Sequence, residues 1–258
     1  MSTRHKQVEI AVDGQHIDGT LVAPSNAVPG VLLVHGWDGS QEQYKARAYE
    51  IAALGCVCLT FDLRGHARHA GQRQSVSRED NLRDVLAAYD VLVHHPTVDP
   101  ESIAIVGSSY GGYLAAIATT LRPVRWLALR VPALYPDAQW EIPKGKLSRS
   151  ELAEYRNSLV AAPDNRALAA CARFSGDALI VESENDKTVP HPVIESYLGA
   201  FKHVKSVTYR CIAGADHALS DERSRQAYGM LLVSWMTEMT LGARAASGLL
   251  RPAPSSPA

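Results

Sequence analysis

The sequence predicts an α/β fold in which helices flank a mostly parallel central sheet, and two observations lead to this prediction. Short runs of consecutive apolar residues, such as residues 31–34 and 103–106, are typical of strands buried on both faces of a parallel sheet. From residue 31 onwards these runs alternate with longer segments of helical periodicity. At 258 residues, with 46% hydrophobic side chains, the chain is long enough to form one such domain with a sizeable core.

The chain begins with a predicted antiparallel hairpin. Residues 8–12 and 16–22 alternate between apolar and polar, and Asp13-Gly14 between them favours a tight turn. The later strands are predicted at residues 31–34, 56–61, 103–106, 125–131, 178–181 and 206–212, and the runs at 31–34 and 103–106 are apolar throughout.

Helices are predicted between these strands. Ser77 has an acidic residue, Asp80, three positions later, and this pair predicts a capped helix that ends near His94. The other helices are predicted from apolar periodicity at residues 44–54, 112–121, 192–201 and 222–246. Residues 247–258 are rich in Pro and Ser, so we expect a single domain of residues 1–246 followed by a disordered tail.

An insertion interrupts the alternation of strands and helices at residues 133–177. Ser148, with Glu151 three positions later, predicts one capped helix, and a second helix is predicted at residues 164–174. An inserted segment that follows the carboxyl end of a strand is expected to act as a lid over a site at that edge of the sheet. Plain surface packing is the alternative.

Composition and charge exclude several classes of function. The net charge of -1 gives no electrostatic reason to expect binding to nucleic acid or to a membrane surface. No apolar run reaches the ~18 residues of a membrane span, and residues 1–9 do not resemble a signal peptide. The four cysteines fit neither a disulfide framework nor a zinc site, so we expect buried, reduced thiols in a cytoplasmic protein.

No metal or other cofactor is predicted. Two histidine pairs, His66-x-x-His69 and His94-His95, could be considered as ligands. Neither pair has a carboxylate partner at helical spacing, and neither fits a zinc template.

The candidate nucleophile lies in the segment Gly107-Ser108-Ser109-Tyr110-Gly111. A predicted strand precedes this G-x-S-x-G pattern and a predicted helix follows it, which is the context in which the central serine is exposed on a sharp turn. Ser109 is therefore the candidate, and Ser108, whose side chain should point away from the tip, is the rival. The N–H of Tyr110 at the helix start could bind an oxyanion.

Polar residues at the carboxyl ends of other predicted strands supply the candidate base and acid. His217 follows the last strand and is the best general base, and the chain order Ser…Asp…His agrees with a catalytic triad. Asp186 is the best orienting acid. Glu182 and Glu184 are nearby rivals, and Asp216 is disfavoured because it adjoins the histidine.

Aromatic residues near these loops predict a substrate pocket. Trp37, after His35-Gly36, would supply a second oxyanion N–H opposite that of Tyr110. Together with Tyr135 and Trp140, these two residues suggest an apolar or aromatic acyl pocket. Each of the four side chains could equally belong to the ordinary core.

These motifs together resemble the α/β-hydrolase superfamily over essentially all of residues 31–239. The chain looks most like the branch that holds dienelactone-hydrolase-like proteins, small feruloyl-type esterases and prolyl-oligopeptidase catalytic domains. The resemblance implies a triad of Ser109, Asp186 and His217, with the N–H groups of Trp37 and Tyr110 as the oxyanion hole. The motifs that carry it are Gly107-Ser108-Ser109-Tyr110-Gly111-Gly112, His35-Gly36, Asp62-x-Arg64-Gly65-His66, Asp186 before Val189-Pro190, and Gly214-x-Asp216-His217.

The sequence departs from the family pattern at three points. The predicted nucleophile is Ser109, where true dienelactone hydrolases carry cysteine, so the reaction of dienelactone hydrolases is disfavoured for this chain. The family usually has Gly-x-Ser after Arg-Gly-His, whereas this chain has Ala67-Arg68-His69, so that loop could line the pocket differently. Ser183 replaces the usual glycine three residues before the acid.

The predicted function is hydrolysis of a small-to-medium carboxylic ester through an acyl-enzyme intermediate, by a serine hydrolase of a carboxylesterase type. A small-molecule ester is the expected partner, with a homodimer left open. Three alternatives remain: a small peptidase or amidase, a thioesterase, and a binding protein that keeps the fold without catalysis.

Overall fold

A single sheet organises the structure, a computed structural model that describes residues 3–24 and 29–246. Eight strands of the described chain form this sheet in the order β1-β2-β4-β3-β5-β6-β7-β8. β1 pairs antiparallel with β2, β2 pairs antiparallel with β4, and all other pairs are parallel. The strands are β1 (Thr3–Val12), β2 (Gln15–Pro24), β3 (Gly30–Val34), β4 (Val57–Phe61), β5 (Ile103–Ser108), β6 (Trp126–Arg130), β7 (Asp177–Ser183) and β8 (Ser206–Ile212).

Helices cover both faces of the sheet, which confirms the predicted fold class. Side chains of β3 alternate between two apolar cores: Leu32 and Val34 face one core, and Val31 and Leu33 face the other. Such a strand needs apolar residues at every position, which is why its sequence is a continuous apolar run. The helices are α1 (Glu42–Ala53), α2 (Arg78–Val93), α3 (Tyr110–Ala118), α4 (Arg149–Arg156), α5 (Arg166–Arg173), α6 (His191–Ala200) and α7 (Glu222–Ala246).

Local signals fixed several of these elements as predicted. Asp13 and Gly14 have φ of 49° and 73°, the left-handed values that a two-residue hairpin turn requires. Ser77 and Asp80 form a reciprocal capping box at the start of α2. Ser148 caps α4 by accepting the N–H of Glu151.

Two predicted helix boundaries are wrong. α3 ends at Ala118 rather than at residue 121 because Thr119 and Thr120 follow it, and their hydroxyls donate to carbonyls of the last turn. α5 begins at Arg166 rather than at Asp164. Asn165 caps it by accepting the N–H groups of Ala167 and Leu168, a better geometry than the preceding 3₁₀ turn offers Asp164.

The cysteine prediction is correct for three residues and wrong for one. Cys56, Cys58 and Cys171 are buried, and burial raises the pKa of the Cys58 thiol. Cys211 is exposed because β8 is the last strand of the sheet and carries little cover. The predicted tail at residues 247–258 lies outside the described residues. Of the helices in the described ranges, none combines the length and the apolar character needed to cross a membrane.

Candidate active site

The tightest turn of the site holds Ser109. β5 ends at Ser108 and α3 begins at Tyr110, so the chain reverses at one residue, whose φ of 52° and ψ of -116° are strained for any residue except glycine. Glycines on either side make the turn sterically possible. A Cβ at Gly107 would lie 2.6 Å from the carbonyl oxygen of Gly111, and a Cβ at Gly111 would collide with backbone carbonyls of β3.

Backbone hydrogen bonds keep Ser109 in this strained conformation. Its N–H donates to the carbonyl of Arg130, and its carbonyl accepts the N–H groups of Tyr113 and Ala133. The two neighbouring serines therefore have different surroundings. Ser109 lines a cavity of about 810 Å³, whereas Ser108 is 1% exposed and its Oγ accepts the Nε–H of Arg130 at 3.3 Å.

His217 and Asp186 meet at the carboxyl ends of β8 and β7. The His217 Nδ1 lies 2.6 Å from the Asp186 Oδ2, and because a carboxylate can only accept, Nδ1 is the donor. The other oxygen of Asp186 accepts the N–H groups of Thr188 at 2.7 Å and Val189 at 2.8 Å. This arrangement leaves Nε2 of the imidazole able to accept a proton. Both His217 and Ser109 line the same cavity.

The rival carboxylates are engaged elsewhere. Glu184 accepts the backbone N–H of Gly214, and Asp216 accepts from both the N–H and the hydroxyl of Ser220. Glu182 contacts the Nδ1 of His191 at 2.8 Å and accepts the hydroxyl of Tyr209. Of these four acids, Asp186 is the one whose carboxylate is hydrogen-bonded to His217.

The loop after β3 is oriented by His35, a residue whose role the sequence did not reveal. Its Nε2 accepts the N–H of Leu63 at 3.0 Å, so the proton resides on Nδ1, which donates to the carbonyl of Gly36 at 2.8 Å. Burial lowers the pKa of His35 and favours this neutral form. Since the C=O and N–H of one peptide point in opposite directions, the N–H of Trp37 points away from His35.

The two candidate oxyanion donors flank Ser109. A Cβ placed on Gly36 would lie 3.3 Å from the Cβ of Ser109, so the Gly36–Trp37 peptide lies against the nucleophile. Tyr110 is the first residue of α3, so its N–H has no partner within the helix. The geometry brings both candidate donors to the neighbourhood of one serine.

A cavity of about 810 Å³ opens above these residues. Trp37 and Tyr135 line it, as predicted. The prediction is wrong for Trp140, which is 7% exposed and donates its indole N–H to Glu79, and for the side chain of Tyr110, which is fully buried and donates to Asn81. Both aromatic side chains are buried outside the cavity lining, and the polar group of each is hydrogen-bonded, to Asn81 for Tyr110 and to the half-buried Glu79 for Trp140.

The insertion at residues 133–177 supplies one wall of this cavity. α4 and the 3₁₀ turn before it contribute Lys144, Leu147, Leu152 and Arg156 to the lining. α5, the second helix of the insertion, packs instead against α3 and α6. The part of the insertion nearest the site is therefore the first part.

Potential metal ligands are dispersed. Among the described residues, no three His, Cys, Asp or Glu side chains are grouped to hold a metal ion. His66 donates its Nδ1–H to the carbonyl of Arg64 and packs edge-on against Trp37, and burial lowers its pKa to about 4. His66 therefore supports the loop that carries Trp37 as a neutral aromatic side chain.

Comparison with known proteins identifies a family. Residues 42–242 match the model of the prolyl oligopeptidase family. YfhR, an uncharacterized protein of Salmonella typhi, is 32% identical over 114 residues, a match that covers 42% of this chain and 38% of that protein. The thiohydrolase aneE of Aspergillus aculeatus is 31% identical over 114 residues, covering 43% of this chain and 36% of that protein. The matches thus span little more than a third of each relative.

Solved structures share the fold at low sequence identity. A dienelactone hydrolase from Anabaena variabilis has a TM-score of 0.67 at 18% identity, over 92% of this chain and 98% of that one. The esterase PF2001 of Pyrococcus furiosus has a TM-score of 0.71 at 16% identity, over 93% of this chain and 92% of that one. The predicted resemblance to the α/β-hydrolase superfamily is confirmed.

Proposed function

Because the chain belongs to the prolyl oligopeptidase family and has the α/β-hydrolase fold, we propose that it is a serine hydrolase that cleaves a carboxylic ester of small to medium size. The observation that carries this proposal is the contact of 2.6 Å between His217 and Asp186, on the same cavity as Ser109. Ser109 is the nucleophile, His217 the general base and Asp186 the orienting acid.

The reaction proceeds in two halves. Ser109 Oγ attacks the ester carbonyl carbon while His217 Nε2 takes the hydroxyl proton, and the alcohol leaves with that proton as the C–O bond breaks. Water then attacks the acyl-enzyme while His217 Nε2 takes a proton from it, and His217 returns this proton to the Oγ of Ser109 as the bond between Oγ and the acyl carbon breaks and the carboxylic acid leaves. Asp186 keeps the proton of the imidazole on Nδ1 and stabilises the imidazolium that forms twice in each cycle.

The negative charge that develops on the carbonyl oxygen is stabilised by the N–H groups of Trp37 and Tyr110. Each such donor is worth about 3 kcal/mol in comparable sites. The hydrogen bond from His35 to the carbonyl of Gly36 supports this assignment, since it turns the next N–H outward. The segment at residues 133–177 acts as the lid that covers the acyl group, supported by its share of the cavity lining.

A thioester is the second candidate substrate. The similarity to a thiohydrolase favours it, and a thiolate leaves more easily than an amine. Peptidase activity, which the family name suggests, is the third candidate. A binding protein without catalytic activity would not require a strained serine together with a paired histidine and aspartate, so this alternative ranks last.

Turnover of matched substrates tests the proposal. We expect hydrolysis of p-nitrophenyl esters with acyl chains of two to twelve carbons, faster than hydrolysis of the p-nitroanilide with the same acyl group. Ser109→Ala should lower kcat by roughly 10⁴ to 10⁶, and Ser108→Ala is the matched control that should retain activity. A faster anilide would assign the chain to the amidases. An unaffected Ser109→Ala would refute the mechanism.

A further inference from the structure

The cavity above Ser109 is strongly cationic although the whole chain is not. The net charge of the sequence is -1, so the positive charge at this place is a local concentration. The charged side chains that line the cavity are Arg73, Lys144, Arg149, Arg156 and Lys187 against one acid, Asp38, which pairs with Arg73. Such a cationic lining would not contribute to the binding of an apolar acyl chain.

Lys144 is the most exceptional of these cations. Its ammonium lies 4.2 Å from the centre of the Trp37 ring and 5.6 Å from that of Tyr135, and none of the ion pairs among the described residues involves it. Its backbone is anchored, since the N–H donates to the carbonyl of Val76. The ammonium thus lies over the Trp37 ring, beside a candidate oxyanion donor, and Asp38 acts on it without forming an ion pair with it.

The surroundings of Lys144 are unfavourable for its own charge. Burial, together with the positive charges of Arg156, Arg73 and Arg149, lowers the pKa of Lys144 to about 7, against the opposite effect of Asp38. Burying an unpaired charge costs free energy that an oppositely charged ligand would restore.

Arg156 adds a second cation, which forms no ion pair with a carboxylate of the described residues. Its side chain is 8% exposed, its Nε–H donates to the carbonyl of Leu134, and its Nη1–H donates to the carbonyl of Thr188. These hydrogen bonds satisfy two N–H donors of the guanidinium, but its positive charge stays uncompensated because carbonyls carry no net charge. The wall opposite the nucleophile therefore keeps a permanent positive potential.

We propose that the cavity selects esters that carry a carboxylate, which Lys144 binds directly while Arg156 strengthens the attraction. The inference rests on the proposed ester hydrolysis and adds the substrate class. The substrates would be half-esters of dicarboxylic acids, or esters of a hydroxy acid if the carboxylate resides on the alcohol. Desolvated charge pairs of this kind are the strong ones, so discrimination against a neutral ester of equal length should be large.

Matched ester pairs measured by pH-stat titration at pH 6.5 test this proposal. Monoethyl succinate, glutarate and adipate are compared with the ethyl esters of butyrate, pentanoate and hexanoate, and the butyrate ester of 4-hydroxybenzoate with phenyl butyrate. We expect kcat/KM to favour the anionic member of at least one series, and Lys144→Met to lower this preference roughly 10- to 100-fold. Lys144→Arg should keep it.

Lys146 provides the control. It lies two residues away on the same 3₁₀ turn, is exposed, and does not line the cavity, so Lys146→Met should leave the preference unchanged. A preference that is absent in both series, or that survives Lys144→Met intact, would overturn the proposal even if neutral esters are hydrolysed well.

Binding to an inactive variant separates this proposal from the proposed function. Calorimetry with Ser109→Ala measures the affinity for monoethyl glutarate and for ethyl pentanoate without any chemistry. Tighter binding of the anion that is lost in Ser109→Ala/Lys144→Met supports the subsite even if no ester is turned over. Equal binding of the two esters, with normal ester hydrolysis by the wild type, refutes the subsite alone.

Discussion

The substitution Asp186→Asn probes the hydrogen bond between Asp186 and His217, a contact between two distant segments of the chain. An asparagine has nearly the same shape, and its oxygen can still accept the N–H groups of Thr188 and Val189 that now bind Oδ1. The amide NH₂ would then face Nδ1 of His217, where the carboxylate oxygen lies at 2.6 Å. Because that group donates, Nδ1 must become the acceptor and the proton moves to Nε2.

A proton on Nε2 removes the general base, since this nitrogen can no longer take the hydroxyl proton of Ser109. We expect kcat to fall by about 10⁴, the effect of a wrong tautomer in an intact triad, with KM little changed. Folding should be nearly unaffected because both backbone hydrogen bonds to the side chain survive. The assay is p-nitrophenyl butyrate turnover together with thermal unfolding, and ¹⁵N NMR of the imidazole reports the tautomer.

Asp216→Asn is the matched control for this substitution. Asp216 adjoins the histidine but binds Ser220, so its variant should keep kcat within about threefold. A fall of less than tenfold for Asp186→Asn with a folded protein would refute the role given to Asp186. So would an imidazole that keeps its proton on Nδ1.

Three further predictions concern the supports of the site. Gly111→Ala should lower the free energy of unfolding by about 2 kcal/mol or more in thermal unfolding, because the new Cβ would meet the backbone at the end of β3. Gly199→Ala is the control and should raise the free energy of unfolding by about 0.5–1 kcal/mol, because nothing lies near the new Cβ. His35→Leu should lower kcat for p-nitrophenyl butyrate at least tenfold, because it removes the hydrogen bond that orients the Gly36–Trp37 peptide and its N–H. In the wild type, the preference for an anionic over a neutral ester should decline as pH rises through about 7, because the pKa of Lys144 is about 7 and its positive charge is lost above it. In Lys144→Arg the preference should stay level, because the arginine stays charged. A wild-type preference that does not change with pH would contradict this prediction.

The fold could be predicted from the sequence because its signals are local. Apolar runs such as residues 31–34 and 103–106 mark strands buried on both faces, and the Asp13-Gly14 turn and the Ser77 cap need only neighbours in sequence. The errors arose where neighbours competed. Asn165, rather than the preceding Asp164, caps α5, because its side chain accepts the N–H groups of Ala167 and Leu168.

The candidate site was predictable as far as strand ends could reveal it. Ser109, Asp186 and His217 each follow a strand, so a parallel sheet brings them to one edge. Contacts between distant segments were not predictable. The sequence does not show that Trp140 would turn its indole towards Glu79, nor that Lys144 would lie above Trp37, because both depend on how the insertion folds over the sheet.

Mapping of a covalent adduct tests the central claim most directly. A fluorophosphonate probe reacts with an activated serine, and peptide mass spectrometry locates the modified residue. The account predicts one adduct, on Ser109, which Ser109→Ala abolishes and Ser108→Ala retains. An adduct on another residue, or no adduct on a folded wild-type protein, would contradict it.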